Sequence, residues 1–90
     1  MSRLLKSNYG FTLAPTGSYQ EQGAMMTANN MYIYNEDTEV ATISLDGDTP
    51  TFVIPAGKAI NLSSIPRFQK FHYKGNGTKL HVGVYRTEDR

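Results

Sequence analysis

The chain has 90 residues, a formal net charge of +1 and no cysteine. This length fits one domain over residues 1–90 with a modest core, and the lack of cysteine excludes disulfides and thiolate metal sites. No apolar run approaches the roughly 18 residues of a membrane span and no signal-peptide core follows Met1, so we expect synthesis in a cytoplasm and no membrane partner.

The first predicted elements are a strand, a turn and a weakly patterned segment. Tyr9-Gly-Phe-Thr-Leu-Ala14 alternates and ends at Pro15-Thr-Gly17, which predicts a strand followed by a turn. Residues 1–12 are a candidate docking arm. Residues 18–26 offer few core side chains. The segment from Ala24 to Asn30 lacks the length and the apolar stripe of a helix, so a loop or an edge strand is predicted there.

From Met31 onwards short strands and turns follow each other regularly. Strands are predicted at 31–35, 40–45, 51–54 and 59–62, because apolar and β-branched residues alternate there with polar ones. Turns are predicted at 36–38, 46–50 and 55–57, where Gly, Pro and Asp are concentrated. In the last turn Pro55 is expected at the second position and Gly57 closes the turn.

Residues 68–86 predict a C-terminal antiparallel hairpin that turns at Asn76-Gly77, the dipeptide that type I′ turns prefer. In the expected register Tyr73 faces Leu80. The buried face would then carry Phe71, Tyr73, Leu80, Val82 and Val84. A shift of the register by one residue would bring a histidine to that face, so turn chemistry and burial pattern agree.

The fold class follows from these elements. Several short strands, separated by turns at regular spacing and without a long amphipathic helix, are typical of a sandwich or a barrel. The sequence therefore predicts an all-β protein, a compact antiparallel β-sandwich of the jelly-roll or Ig-like type, formed as a single domain.

The opposite face of the predicted hairpin would carry Lys70, His72, Lys74, Lys79, His81 and Tyr85. His72 would face His81, and two imidazoles that close could share a metal ion. The lysines beside them repel cations and no further ligand is evident in the sequence. A surface or interface role is therefore favoured over a metal site, with a pH-sensitive contact as a further alternative.

Catalytic and calcium-binding motifs are not found in the sequence. Asp46-Gly-Asp48 follows Glu36, Asp37 and Glu39, but the ligand spacing of an EF-hand is missing, and Asp-Gly is typical of a turn. There is no phosphate-binding loop, no nucleophile elbow and no thiol. The carboxylates fall in turns rather than in an apolar pocket. We predict a protein that is not an enzyme and holds no cofactor or metal.

Charge is distributed unevenly along the chain. Residues 1–57 carry two basic and six acidic residues, whereas residues 58–90 carry seven basic and two acidic ones. This asymmetry predicts head-to-tail contacts in a homo-oligomer, or a basic face docked on an acidic partner. The alternative is that loops collect solvated charges, since exposed ion pairs contribute little.

Aromatic residues suggest two further kinds of binding. Tyr32 and Tyr34 alternate with Met31 and Ile33, so one pair faces away from the core unless the strand is buried on both sides. A basic face with Tyr85 also fits a small OB-like module for single-stranded nucleic acid. The nearly balanced total charge argues against nucleic acid as a partner, and the absence of tryptophan disfavours carbohydrate.

Four stretches resemble small β-sandwich virion proteins of tailed bacteriophages. They are Tyr34-Asn35, Ile43-Ser-Leu-Asp-Gly47, Phe52-Val-Ile-Pro-Ala-Gly57 and Gly77-Thr-Lys-Leu-His-Val82. In that family an Asn-ended strand leads to a strand ending in Asp-Gly and then to an Ile-Pro-Ala-Gly turn. Residues 1–30 have no counterpart in the resemblance.

The resemblance implies a non-enzymatic virion structural protein, made in the host cytoplasm. A capsid decoration or cement protein, which stabilises the particle by docking on neighbouring subunits, is expected first, and a neck or tail component is the alternative. The expected partners are the major capsid protein or neck and tail proteins, and other copies of the chain. The candidate contact residues are Arg3, Phe11, Tyr32, Tyr34, Glu36, Asp37, Asp46, Asp48, Lys70, His72, Lys74, Lys79, His81 and Tyr85.

Overall fold

The computed structural model describes residues 3–63 and 65–89, with side chains described from residue 9 to residue 87. This part of the chain contains eight β-strands and no helix. The strands are β1 (Arg3–Leu13), β2 (Gln20–Ala28), β3 (Asn30–Asn35), β4 (Ala41–Ser44), β5 (Phe52–Ile54), β6 (Ala59–Leu62), β7 (Phe68–Lys74) and β8 (Leu80–Asp89). In this part of the chain there is accordingly no helix that could cross a membrane.

The strands form two packed four-stranded sheets with nested pairing. The first sheet has the order β1-β8-β3-β6 and the second sheet has the order β2-β7-β4-β5. Counted from the two ends of the chain inwards, β1 pairs with β8, β2 with β7, β3 with β6 and β4 with β5. Every pair is antiparallel. This is the strand order of an eight-stranded jelly roll. The predicted all-β sandwich is confirmed.

Alternation of side chains builds the core between the sheets. Met31 and Ile33 of the first sheet and Ile43 and Phe71 of the second are completely buried. Phe11 reaches across from β1 and packs edge-to-face on Phe71, with ring centroids 6.1 Å apart. Aromatic pairs in this geometry add to the stabilisation from buried area.

Most predicted strands lie where expected, but the N-terminal third is more regular than the sequence indicates. β1 begins at Arg3 and pairs with β8 along its length, with a bulge between Leu5 and Ser7. Residues 20–28 form a strand at the edge of the second sheet, so of the two alternatives predicted for the segment from Ala24 the edge strand is the correct one. Pairing with β7 sets this strand, whose fully buried side chains are the small ones of Ala24 and Ala28.

The predicted C-terminal hairpin is wrong. β7 pairs with β2 and β4 in the second sheet, whereas β8 pairs with β1 and β3 in the first. Residues 75–79 therefore cross from one sheet to the other. The burial of Phe71, Tyr73 and Leu80 was predicted correctly, because alternation reports which face is buried. It does not report which strand lies alongside.

The predicted pairing of His72 with His81 fails for the same reason. His72 faces Glu21 and Ser44 in the second sheet. His81 faces Thr12 and Tyr34 in the first sheet. The basic surface expected on one hairpin is thus divided between two opposite sides of the sandwich.

The connection between β7 and β8 is held by the carboxylate of Asp37. One oxygen, Oδ1, accepts hydrogen bonds from the backbone N–H groups of Thr78 and Lys79, both at 3.1 Å. Gly77 has a φ of 149°, and the carboxylate occupies the space that a β-carbon at this position would fill. Glycine is therefore required here both by its backbone and by its neighbour.

The side chain of Asn35 joins the two sheets at the end of β3. It is completely buried. Its amide nitrogen donates to the carbonyl oxygens of Glu39, at 2.8 Å, and of Ile54, at 3.1 Å. Its amide oxygen accepts from the N–H of Asp37 at 3.1 Å. Buried polar groups that are fully paired in this way fix one arrangement of the surrounding loops.

The backbone of Asn35 also anchors the turn that follows β5. Its N–H donates to the carbonyl of Lys58 and its own carbonyl accepts from the N–H of Gly57. The turn is closed by Lys58 N–H on the carbonyl of Pro55, at 3.2 Å, and Gly57 has a φ of 71°. Pro55 therefore occupies the first position of the turn, not the second. The Asn-ended strand and the Pro-Ala-Gly segment form one hydrogen-bonded unit.

Candidate docking face on the first sheet

The outer surface of the first sheet presents a row of aromatic rings, which we call the aromatic face: Tyr32, Tyr34, His81 and Tyr85. β3 points Met31 and Ile33 into the core, so the tyrosines between them point outwards. Tyr32 remains 45% exposed. Of the two alternatives for this strand, the structure shows the one with outward tyrosines.

His81 is held in place from three directions. Its ring stacks on Tyr34 with centroids 5.7 Å apart and planes 14° from parallel. Its Nε2 lies 2.8 Å from Oε1 of Glu36, and its Nδ1 lies 3.3 Å from the hydroxyl of Thr12. Lys79 approaches the same Glu36 carboxylate at 3.9 Å. A ring with so many partners is a fixed part of the surface.

A trough with a glycine floor runs beside this row. Gly10 of β1 faces Gly83 of β8, and Gly83 in turn faces Tyr32 of β3. Because neither glycine covers the backbone, the strands leave an open groove of about 320 Å³, bordered by Thr12, Tyr32 and His81. Glycine within a strand is typical of sites where another backbone or a ligand approaches closely.

The far end of the aromatic face is fixed by Tyr85. Its hydroxyl donates to the side-chain oxygen of Asn61 on the edge strand β6, at 2.9 Å. Tyrosine is enriched in protein interfaces, because it buries much area while losing little conformational entropy. The aromatic face and its trough therefore suit contact with a protein surface.

The outer face of the second sheet is charged, and its charges are paired within the chain. Lys70 and His72 both lie 3.3 Å from Oε1 of Glu21. Lys74 places its ammonium group 4.6 Å from the centre of the Tyr19 ring, a cation–π contact. The acidic first half and the basic second half of the sequence thus meet inside one molecule, because nested pairing brings β2 beside β7.

A second groove, of about 750 Å³, lies at the edge of this sheet. The register of β2 against β7 shifts between Gly23 and Ala28. In this irregular stretch Met25 has a φ of 65° and is 67% exposed. A non-glycine residue in that region of backbone space is strained. The groove is lined by Glu21, Arg67 and Lys70 among others.

The acidic loop between β4 and β5 is closed by Asp46. Its Oδ1 accepts hydrogen bonds from the N–H groups of Thr49 and Asp48 and from the hydroxyl of Ser44, each at 2.8 Å. These bonds, led by the one from Thr49, lower the pKa of Asp46 from 3.8 to about 2. The Asp-Gly-Asp segment is a turn whose first carboxylate binds its own backbone.

This pKa predicts how the loop responds to acid. Because the folded pKa lies below the unfolded one, the stability that Asp46 contributes is complete above pH 3.8 and is lost as the pH falls through about 2. The Asp46 carboxyl carbon, followed by NMR, should titrate with a midpoint near 2. Ser44→Ala removes one donor and should raise that midpoint. A midpoint of 3.8 or above in the unmodified protein would contradict this assignment.

The structure brings some of the predicted contact residues together and separates others. Tyr32, Tyr34, Glu36, Lys79, His81 and Tyr85 share the first sheet's outer side. Lys70, His72 and Lys74 lie on the opposite side of the sandwich, and Asp46 and Asp48 lie in the β4–β5 loop. Phe11 packs against the core, and Asp37 holds the β7–β8 connection. The side chain of Arg3 lies outside the described residues.

Sequence analysis missed three residues that complete the aromatic face. Gly10, Gly83 and Asn61 reach it only through the pairing of β1, β8, β3 and β6. The one available signal was glycine within two alternating strands, which marks a bulge or a close approach. Within residues 3–63 and 65–89, no group of three His, Asp or Glu side chains is placed to hold a metal ion.

Comparison with protein families, with curated proteins and with solved structures gives no match to this chain.

Proposed function

We propose that this chain is a non-enzymatic structural protein of a tailed-bacteriophage particle, most simply a capsid decoration subunit that docks on neighbouring capsid proteins through its aromatic face. The observation that carries the proposal is the exposed Tyr32 beside the bare backbone of Gly10 and Gly83. An open groove with a glycine floor and aromatic borders can accept an apolar side chain or a loop of a protein partner.

The distribution of charge supports a contact made by shape rather than by net charge. The ammonium groups of Lys70 and Lys79 lie 3.3 Å and 3.9 Å from glutamate carboxylates of the same molecule. Exposed pairs of this kind contribute little to stability, but they leave fewer unpaired charges for a partner. The tyrosine ring and the glycine trough remain as the distinctive feature of the surface.

The structure is compatible with one of the two alternative functions and disfavours the other. A neck or tail component would use the same aromatic face, and only its place in the particle differs. The OB-like module for single-stranded nucleic acid loses its basis, because the fold is an eight-stranded two-sheet sandwich rather than a five-stranded barrel. The basic face on which that alternative depended is also divided between the two sheets.

The test is the occupancy of particles. Particles are purified of the phage whose genome encodes the chain. The copy number of the chain per particle is measured by quantitative mass spectrometry relative to the major capsid protein. We expect repeated copies per particle. Tyr32→Ala should lower occupancy at limiting protein about tenfold or more, as for a tyrosine at the centre of an interface. Copurification of the chain with isolated heads that lack tails identifies a decoration protein, and copurification with isolated tails identifies a tail component.

Val53→Ala is the matched control. Val53 is an exposed apolar residue of the second sheet, 58% accessible, and its loss should leave occupancy unchanged. Absence of the chain from purified particles would end the proposal, and equal loss of occupancy in both variants would remove the aromatic face from it. Reversal of charge at Lys70 and Lys74 tests the sequence-based expectation that the second sheet also makes contacts.

A further inference from the structure

The four outer edges of the two sheets differ in how they are protected. An edge strand presents unpaired backbone N–H and C=O groups, and proteins guard such edges with short strands, prolines, bulges or charges. β5 has three residues and β6 has four, with Pro55 and Pro66 in the adjacent segments. β2 is interrupted by its bulge and by the strained backbone at Met25. Three edges are thus guarded.

The fourth edge, β1, is open over residues 7–13. Between the bulge after Leu5 and the end of the strand, seven consecutive residues pair with β8 in unbroken register. Their sequence, Ser-Asn-Tyr-Gly-Phe-Thr-Leu, contains no charge and no proline. Among the described residues, β8 is the only strand that pairs with β1. A regular, uncharged edge of this length is a template for another strand.

An exposed ring marks the same edge. Tyr9 faces Val84 across the pair of strands, so it lies on the inward side of the first sheet, yet it is 47% exposed. Phe11, two residues along on the same side, is only partly buried against the core. Apolar side chains that an edge leaves half covered are those that an added strand would cover.

We propose that β1 pairs antiparallel with β1 of a second copy of this chain, making one continuous eight-stranded sheet across a two-fold axis. Full overlap of residues 7–13 with their counterparts places the axis at Gly10. Tyr9 of each copy then faces Phe11 of the other, and aromatic cross-strand pairs stabilise antiparallel strands. The interface is isologous, as in most homodimers.

The two glycine troughs join in this arrangement. Because Gly10 lies at the axis and faces Gly83 within each copy, the bare floors of the two copies become adjacent on the outer surface. The inference stands on the edge of β1 and does not rest on the proposed virion function. A dimer in solution and occupancy of a particle are separate measurements, so either proposal can fail alone.

The experiment compares two glycines that each lie in an edge strand. A β-carbon at Gly10 or at Gly23 meets no atom within 4 Å, so a side chain can begin at either position without a clash. Gly10→Glu places two carboxylates at the proposed axis, whereas Gly23→Glu lies on the edge of the second sheet, opposite Lys70. Sedimentation equilibrium of the full chain at high micromolar concentration gives the mass.

We expect the unmodified chain and Gly23→Glu to have twice the chain mass. Gly10→Glu should weaken association at least about tenfold, with an unchanged circular dichroism spectrum. A monomeric unmodified chain overturns the proposal, as does a Gly10→Glu variant that associates as strongly as Gly23→Glu. An unmodified chain that is monomeric but captures an extended peptide of another protein at β1 overturns it as well.

Cross-linking tests the register and does not depend on the glutamate variant. The chain contains no cysteine, and directly opposed residues of antiparallel strands lie within the distance that a disulfide spans. Gly10→Cys should form a covalent dimer under mild oxidation, and Gly23→Cys should remain a monomer in denaturing gels. Equal cross-linking of both variants, or none of Gly10→Cys, contradicts pairing centred on Gly10.

Discussion

Replacing Asn35 by alanine should lower the free energy of unfolding by about 3 kcal/mol, because it leaves several polar groups without partners in the interior. The carbonyls of Glu39 and Ile54 and the N–H of Asp37 would each lose their bond to the side chain. The small core of the 90-residue chain leaves little stability in reserve. Urea denaturation followed by circular dichroism measures the change.

Asn35→Asp separates the hydrogen bonds from the shape of the side chain. Aspartate fills the same volume but turns the amide nitrogen into an oxygen that faces the carbonyls of Glu39 and Ile54. We expect a loss at neutral pH at least as large as that of Asn35→Ala. If Asn35→Asp were as stable as the unmodified protein, the two hydrogen bonds that the amide donates would not contribute to stability.

Asn61→Ala is the matched control for this prediction. The side chain of Asn61 is exposed and its oxygen accepts one bond, from Tyr85. Water can replace that bond, so the expected loss is below about 1 kcal/mol. Equal losses at positions 35 and 61 would contradict the role of Asn35 as the polar link between the sheets.

Gly77→Ala should be the second large effect, with a loss of about 2 kcal/mol. Alanine is strained at a φ of 149°, and its β-carbon would displace the Asp37 carboxylate. The bonds from the N–H groups of Thr78 and Lys79 would weaken as a result. The measurement is again the free energy of unfolding in urea.

A double-mutant cycle with Asp37→Ala tests the cause. Once the carboxylate is absent, alanine at position 77 no longer meets it and only the backbone strain remains, so the double variant should lose less than the two single variants together. Gly17→Ala serves as the control glycine, because its β-carbon meets no atom within 4 Å. Strictly additive losses of unfolding free energy would show that the effect of Gly77→Ala does not depend on the Asp37 carboxylate.

Sequence patterns predicted the strands of this fold better than their partners. Phe71 and Leu80 lie in alternating runs, and both are buried as predicted. Alternation also gave the correct inward face of β7 and β8. The partner of each strand depends on the path of the whole chain, and a local signal such as Asn76-Gly77 suggested a hairpin where the chain crosses between sheets.

The candidate docking face was predictable only where it lies on one strand. Alternation placed Tyr32 and Tyr34 together on one side of the strand, but it left open whether that side is exposed or buried. The contact of His81 with Glu36 and the pairing of Gly10 with Gly83 join residues far apart in sequence. No short-range pattern encodes such contacts. The sequence left the segment from Ala24 to Asn30 open between a loop and an edge strand, because pairing with β7 decides between them.

The nested order of the strands also bears on the speed of folding. Pairing of Arg3 with Asp89 requires the polypeptide to close nearly its full length into a loop. Among the paired strands of the described residues, only β4 and β5 follow each other directly in the chain. Contact order is therefore high, which in two-state proteins goes with refolding in milliseconds to seconds. We expect a nucleus near the β4–β5 loop and late docking of β1, so that substitutions in β1 alter the unfolding rate more than the refolding rate.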